Sequence, residues 1–290
     1  MKNFELRERL AVKTVPSNSV APPLQLVSSA GAAATLSAHG AQLLSWQLPD
    51  AGEQLYLSPL AQYRDGVPIR GGIPVIFPQF AGEGPLPKHG FARCVRWSVL
   101  EHGRDRARLR LTDRQAGHRL WPFRYVCDFT VALSGSELQL QLDVENADDR
   151  PFTFTAALHS YLRVAEVGDV SVTGLQHLSY RDTARGAASA IQTGEALQIG
   201  GEIDRIYFDV PETIELHDGN GCLSATSSGF RDVVVWNPGA EKAPQLKDLD
   251  PQGWRRFVCI EPAVVGAPIQ LTPGSRWIGR HVLTRRGGRN

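Results

Sequence analysis

At 290 residues, with 42% apolar and 21% charged residues, the chain has the composition of an ordinary globular protein and not of a disordered or fibrous one. Its 31 basic and 30 acidic residues leave a formal charge of +1, so no whole-molecule field recruits nucleic acid or an anionic membrane, although a local arginine pair can still hold a small anion. Cys94, Cys127, Cys222 and Cys259 form neither a CxxC pair nor a disulfide framework, and neither a signal-peptide h-region nor a run of about 18 apolar residues is present; a soluble, cytoplasmic protein with buried thiols is expected.

In chain order, residues 1–23 read as an N-terminal segment and a connector, because three prolines fall between Pro16 and Pro23 among serines and an asparagine. Two punctuated motifs follow, GGIPVIFPQF and LPKHGFARCVRW. Pro74 and Pro78 cannot donate to a strand ladder, which predicts a shaped loop or irregular sheet edge near a binding mouth, with a plain structural turn as the alternative. Short strands are predicted at 95–100 and 108–112. The alternating run from Phe123 to Leu133, the turn Ser134-Gly135-Ser136 and the alternation of Leu138, Leu140, Leu142 and Val144 with polar residues predict an antiparallel hairpin.

Further strands are predicted at 152–164, 206–210, 214–218, 233–236 and 257–260. Few intervals between them can hold a crossover helix, and no fixed-period repeat is evident. The expected fold is therefore all-β, a large antiparallel sandwich of two packed sheets forming a single domain over 1–290. The C-terminal RRGGRN predicts a flexible tail at 286–290.

Two residues in these runs carry chemistry. His159 shares parity with Thr153, Thr155 and Ala157, so it points away from the more apolar side of its strand. By residue type alone, a satisfied structural histidine is the commoner role. Glu261 follows Phe257-Val258-Cys259-Ile260 and precedes Pro262, which suits a solvent-facing strand end as readily as a functional carboxylate.

The ordered motifs RGGIPVIFPQF (70–80), LPKHGFAR (86–93), ALHSYLRV (157–164), Asp204-Arg205-Ile206-Tyr207, VVWNPG (234–239) and CIEPA (259–263) span roughly two thirds of the chain. Together they resemble the glucose-6-phosphate 1-epimerase, or hexose-6-phosphate mutarotase, family of the aldose 1-epimerase superfamily. The resemblance implies a β-sandwich of the galactose mutarotase-like type and interconversion of the α and β anomers of a hexose 6-phosphate. It makes His159 the general acid and Glu261 the base, placed on opposite sides of one pocket. Asp204 becomes a sugar-binding carboxylate and His89 a second active-site histidine. Arg70 and Arg93 become the ligands of the 6-phosphate, since paired guanidinium forks suit phosphate oxygens, although either can instead make a structural salt bridge. Gln79 is implied as a further substrate contact, with Lys88 and Arg96 as neighbours, and Trp236 either stacks on the sugar or fills core volume.

No redox cofactor and no metal are expected, because acid and base together manage the proton transfers; a site built from His89, His159 and Glu261 is the metal alternative. The expected partner is a small sugar phosphate, with no nucleic acid or membrane, on a monomer or weak homo-oligomer. Three other readings compete: a mutarotase for unphosphorylated aldoses, a non-catalytic carbohydrate-binding sandwich, and a structural or protein-interaction sandwich.

Overall fold

A computed structural model describes residues 22–116, 120–219 and 221–287. The connector at 1–23 and the C-terminal tail thus fall largely outside the described residues. Three antiparallel sheets are present where two were expected, with four, eight and nine strands. The hairpin is the backbone of the nine-stranded sheet: Tyr125–Ser134 pairs with Glu137–Asn146 from Ser134 opposite Glu137, leaving the two-residue loop Gly135-Ser136. Gly135 sits at φ +60°, as a glycine-first hairpin loop requires. Strict alternation made this element readable, since Leu138, Leu140, Leu142 and Val144 all point into the core.

That core joins all three sheets. Phe129 and Leu142 meet Phe154 and Ile260 of the eight-stranded sheet and Leu26 and Trp46 of the four-stranded one in a single cluster. Phe154 touches Trp277 of the strand Arg276–Gly287 directly, with ring centroids 5.6 Å apart. The four-stranded sheet was not anticipated; its strand Leu43–Leu48 is buried at five of six positions and shows no alternation.

The eight-stranded sheet carries apolar contacts on both faces, and this determines where the chemistry sits. Along Phe257–Leu271, Val258, Ile260 and Val264 enter the intersheet core, while Cys259, Ala263 and Val265 belong to separate clusters on the opposite face. The first nine residues of this strand are all buried, so it does not end at Ile260 as expected but runs through Glu261 and Pro262. Pro262 is tolerated because the strand changes partner there. Tyr161–Arg163 pairs with 257–259, and Phe152–Leu158 pairs with 263–271. The predicted single strand 152–164 is thus two strands, interrupted at His159-Ser160 opposite Glu261-Pro262.

The edge strand Val75–Ile76 pairs only with Phe152–Leu158 and lies between Pro74 and Pro78, as the missing donors require. The carbonyls of Pro74 and Pro78 still accept the amides of His159 and Thr155. Two boundaries differ from expectation: the strand expected at 95–100 lies at Ser98–His102, and Arg286 and Gly287 belong to a paired strand instead of a tail. Arg285 anchors that end through two 2.8 Å bonds to Asp218.

The loop carrying His89 folds back on the strand edge through Gly90, at φ +66° and bridged to Phe77. A Cβ at Gly90 would overlap the Phe77 carbonyl, whereas one at Gly135 would meet nothing. In urea unfolding, Gly90→Ala should therefore cost more than the ~1–3 kcal/mol of backbone strain alone, and Gly135→Ala should stay within that range. Equal losses would contradict this account of the loop.

Candidate active site

On the face of the eight-stranded sheet turned away from the core, strand register lays functional side chains in rows. Asp204, Trp236, Cys259 and Tyr161 are consecutive partners across four strands. Ile206, Val234 and Glu261 form the next row, and His159 stands beside Glu261 at the ladder break. Strands ~4.8 Å apart put the Asp204 backbone roughly 10 Å from that of Cys259. The site therefore lies over central strands and not at the sheet edges and loops alone.

His159 Nδ1 is 3.1 Å from Glu261 Oε1. The two residues touch, which corrects the expectation that they face each other across a pocket. The approach is off-axis, so Nδ1 gains no aligned hydrogen bond, and Glu261 Oε2 has no partner among the described residues. Glu261 is only 1% exposed. Burial, reinforced by Asp204, pushes its carboxyl well above the usual range despite the opposing pull of Arg93 and Lys88. Burial, with His89, Arg93 and Arg70 nearby, pushes His159 well below the ordinary imidazole value. A neutral imidazole beside a carboxylic acid carries the same number of protons as imidazolium beside carboxylate. The pair is thus one proton transfer away from its ionised form.

Aromatic rings fix the imidazole. Tyr161 stacks on His159 at 4.8 Å and 10°, and Trp236 meets it edge-on at 5.6 Å, so Trp236 is part of the wall of the site. His89 approaches His159 at 5.8 Å. Its Nδ1 accepts the Ala81 N–H at 3.3 Å, and burial together with Arg93, Lys88 and Arg70 pushes its pKa down to about 2. Both observations assign the neutral tautomer with the proton on Nε2, a hydrogen-bond donor.

The expected phosphate arginines differ in what they already hold. Arg70 donates through Nε and Nη2 to Asp248 Oδ1, both at 3.1 Å, and through Nη1 to the Tyr161 hydroxyl at 2.9 Å. Desolvation disfavours its charge, but Tyr161 and Asp248 outweigh this and hold the guanidinium protonated. Arg93 has no ion pair among the described residues; Nη2 donates to the Lys88 carbonyl at 3.1 Å, and its buried Nε has no partner. Burial lowers the Arg93 pKa, and Cys94, Tyr161 and Glu261 offset this only in part.

Gln79 spends both ends of its amide on the loop backbone, donating to the Ala81 and Leu86 carbonyls and accepting the Leu86 N–H at 2.9 Å. It shapes the loop that presents Lys88 and His89, instead of offering free groups to a ligand. Burial raises the Asp204 pKa. Arg96 is exposed, its backbone bridged to His39, and no contact among the described residues ties it to the pair.

The donors that converge are His159, Cys259 and Glu261, and not the trio containing His89. The sequence also gave no role to Tyr161, which shares the parity of His159, or to Asp248, which no local pattern links to Arg70. A concavity of about 1200 Å³ opens elsewhere, beside Asp50, Ser136 and Arg163, and shares no residue with the pair. Convergent polar groups, not cavity size, locate the site.

Residues 23–284 match the family described as aldose 1-epimerase. A protein of Cenchrus ciliaris named "putative glucose-6-phosphate 1-epimerase" is 34% identical over 260 residues, covering 85% of this chain and 79% of its own. One of the same name from Salmonella typhimurium is 31% identical, covering 82% of each chain. Among solved structures, a "putative mutarotase (YeaD)" from Salmonella typhimurium superposes with a TM-score of 0.80 at 27% identity over 88% of both chains.

The raised carboxyl pKa has a consequence for stability. A carboxyl whose folded pKa lies above its unfolded value destabilises the fold increasingly as pH climbs from the unfolded value toward the folded one. Glu261→Gln removes that cost and keeps the shape. Its melting temperature should exceed that of wild type at pH ~8, with a smaller gain at pH ~5. Scanning calorimetry at the two pH values checks this, and a variant less stable at pH ~8 would contradict it.

Proposed function

Because the chain belongs to the aldose 1-epimerase family, we propose that it interconverts the α and β anomers of a hexose 6-phosphate by acid–base ring opening and closure. The observation that carries this reading is the buried His159–Glu261 contact, flanked by a cation with no carboxylate partner among the described residues. Glu261, ionised by passing its proton to His159, takes the proton of the O1 hydroxyl. His159, then protonated, donates a proton to the ring oxygen. The C1–O5 bond breaks, C1 becomes an aldehyde, and O5 leaves as a hydroxyl. Rotation about C1–C2 presents the other carbonyl face, and the reverse transfers close the ring.

The contact between acid and base is compatible with this reaction. O1 and the ring oxygen share C1 and lie only about 2.3 Å apart by ordinary covalent geometry. Two groups that must each reach one of them within about 2.6–3.2 Å can stand no more than about 9 Å apart, a limit that the contacting pair meets. Glu261 Oε1 faces His159, and Oε2 is buried with no partner among the described residues. The donor Nε2 of His89 is disposed to stabilise charge developing on oxygen, and Asp204, two strands away, accepts hydroxyls from the far side of the ring.

Phosphate selectivity falls chiefly to Arg93, with Lys88 beside it. Arg70 is already neutralised by Asp248, and its bond to Tyr161 braces the ring stacked on His159. Arg93→Ala should therefore lower kcat/KM for glucose 6-phosphate at least ~30-fold, the low end of the ~2–5 kcal/mol that losing one partner of a buried charge pair costs, with little change for free glucose. Arg70→Ala should slow both substrates. Saturation-transfer NMR of anomer exchange at fixed ionic strength measures both. Full phosphate preference in Arg93→Ala would overturn the assignment.

A further inference from the structure

We infer that the floor of this site is also a binding site for a thiophilic divalent cation such as Zn²⁺, held by His159, Cys259 and Glu261 and closing the site to sugar. Cys259 and Glu261 are two apart on one face of the strand Phe257–Leu271, and His159 stands over the ladder break beside them. One ligand atom from each lies within 4.8 Å of the other two, and all three residues are buried. Four-coordinate zinc with bonds of 2.0–2.3 Å separates its donors by about 3.3–3.6 Å. The 3.1 Å spacing of His159 Nδ1 and Glu261 Oε1 is already near that, so small side-chain rotations complete the set.

A second observation points to a ligand. Nδ1 of His159 and Oε2 of Glu261 are both buried polar atoms with no hydrogen-bond partner, an arrangement that native interiors avoid unless something else satisfies them. Arg93 and Lys88 oppose a cation here. Ligation by thiolate and carboxylate supplies two negative charges against the metal's two positive ones, which offsets that opposition. The sulfur donor selects Zn²⁺ or Co²⁺ over Mg²⁺, which demands oxygen ligands. Three protein ligands leave a fourth position open. The metal occupies the atoms that would move protons, so the cation is an inhibitor and not a cofactor.

The inhibition rests on the proposed anomerase reading, whereas the binding does not, so the test has two arms. Full-length protein titrated with Co²⁺ should develop a thiolate-to-cobalt charge-transfer band that saturates at one ion per chain and is erased by Zn²⁺. Cys259→Ala and the volume-conserving Cys259→Ser should lack the band. Cys222→Ala should keep it, which separates this site from the partly exposed group of Glu215, His217 and Cys222. In anomer-exchange assays, Zn²⁺ but not Mg²⁺ should inhibit wild type reversibly. The half-inhibitory Zn²⁺ concentration should rise at least ~10-fold in Cys259→Ala, since loss of a ligand exceeds the ~10–100-fold effect of losing an outer-shell partner. No band in wild type, a band that survives in Cys259→Ala, or unchanged Zn²⁺ sensitivity in that variant would overturn the inference. A protein that shows the band but exchanges no anomers would instead defeat the functional reading and leave the metal site standing.

Discussion

A carboxyl group buried in the middle of a long central strand is the constraint on which the rest of the site depends. Glu261 lies between the intersheet core and a layer of loops, with Val234 beside it in register and the neighbouring strand broken at His159-Ser160. An unbroken neighbour would continue the ladder past Pro262, which has no amide to give it. The interruption accommodates that proline and brings an imidazole against the carboxyl. Desolvating an isolated carboxylate is too costly to sustain, so the neighbours determine where its proton resides. The sandwich supplies the low-dielectric setting, and its register supplies the partners.

Around this pair the charges are arranged by how far each is already compensated. Arg70 and Asp248 form a closed unit whose outward effect is mechanical, running through the Tyr161 hydroxyl to a ring stacked on His159. Arg93 keeps its charge uncompensated beside a loop that Gln79 ties together and Gly90 docks on Phe77. A cation held in that way costs stability while the site is vacant of an anion and rewards an anion that arrives. Of the two arginines, the one with fewer protein partners is for that reason the one proposed to meet the ligand.

Legibility in the sequence followed the number of buried faces. The hairpin 125–146 could be read because one side chain in two enters the core. The same parity correctly put His159 on the face opposite Phe154 and Leu158, where Tyr161 stacks on it. Where both faces are buried, as over 257–265, alternation vanishes and Pro262 reads as a terminus. The strand Leu43–Leu48 was lost for the same reason. Arg70 and Asp248 meet across 178 positions, so no local pattern could distinguish a phosphate ligand from half of an ion pair. The contact of His159 with Glu261 was equally hidden, because motifs name the two residues without giving the register that joins them.

Burial disfavours charge on both His159 and Glu261 and so favours a neutral pair, on which the imidazole nitrogens report directly. Long-range ¹H–¹⁵N correlation spectra of the ¹⁵N-histidine-labelled protein would be followed from about pH 5 to about pH 9, with the eight histidines assigned by substitution. The His159 ring should stay in its neutral pattern across the range. A His159 signal that titrates with an ordinary midpoint would show an imidazole independent of Glu261 and contradict the claim.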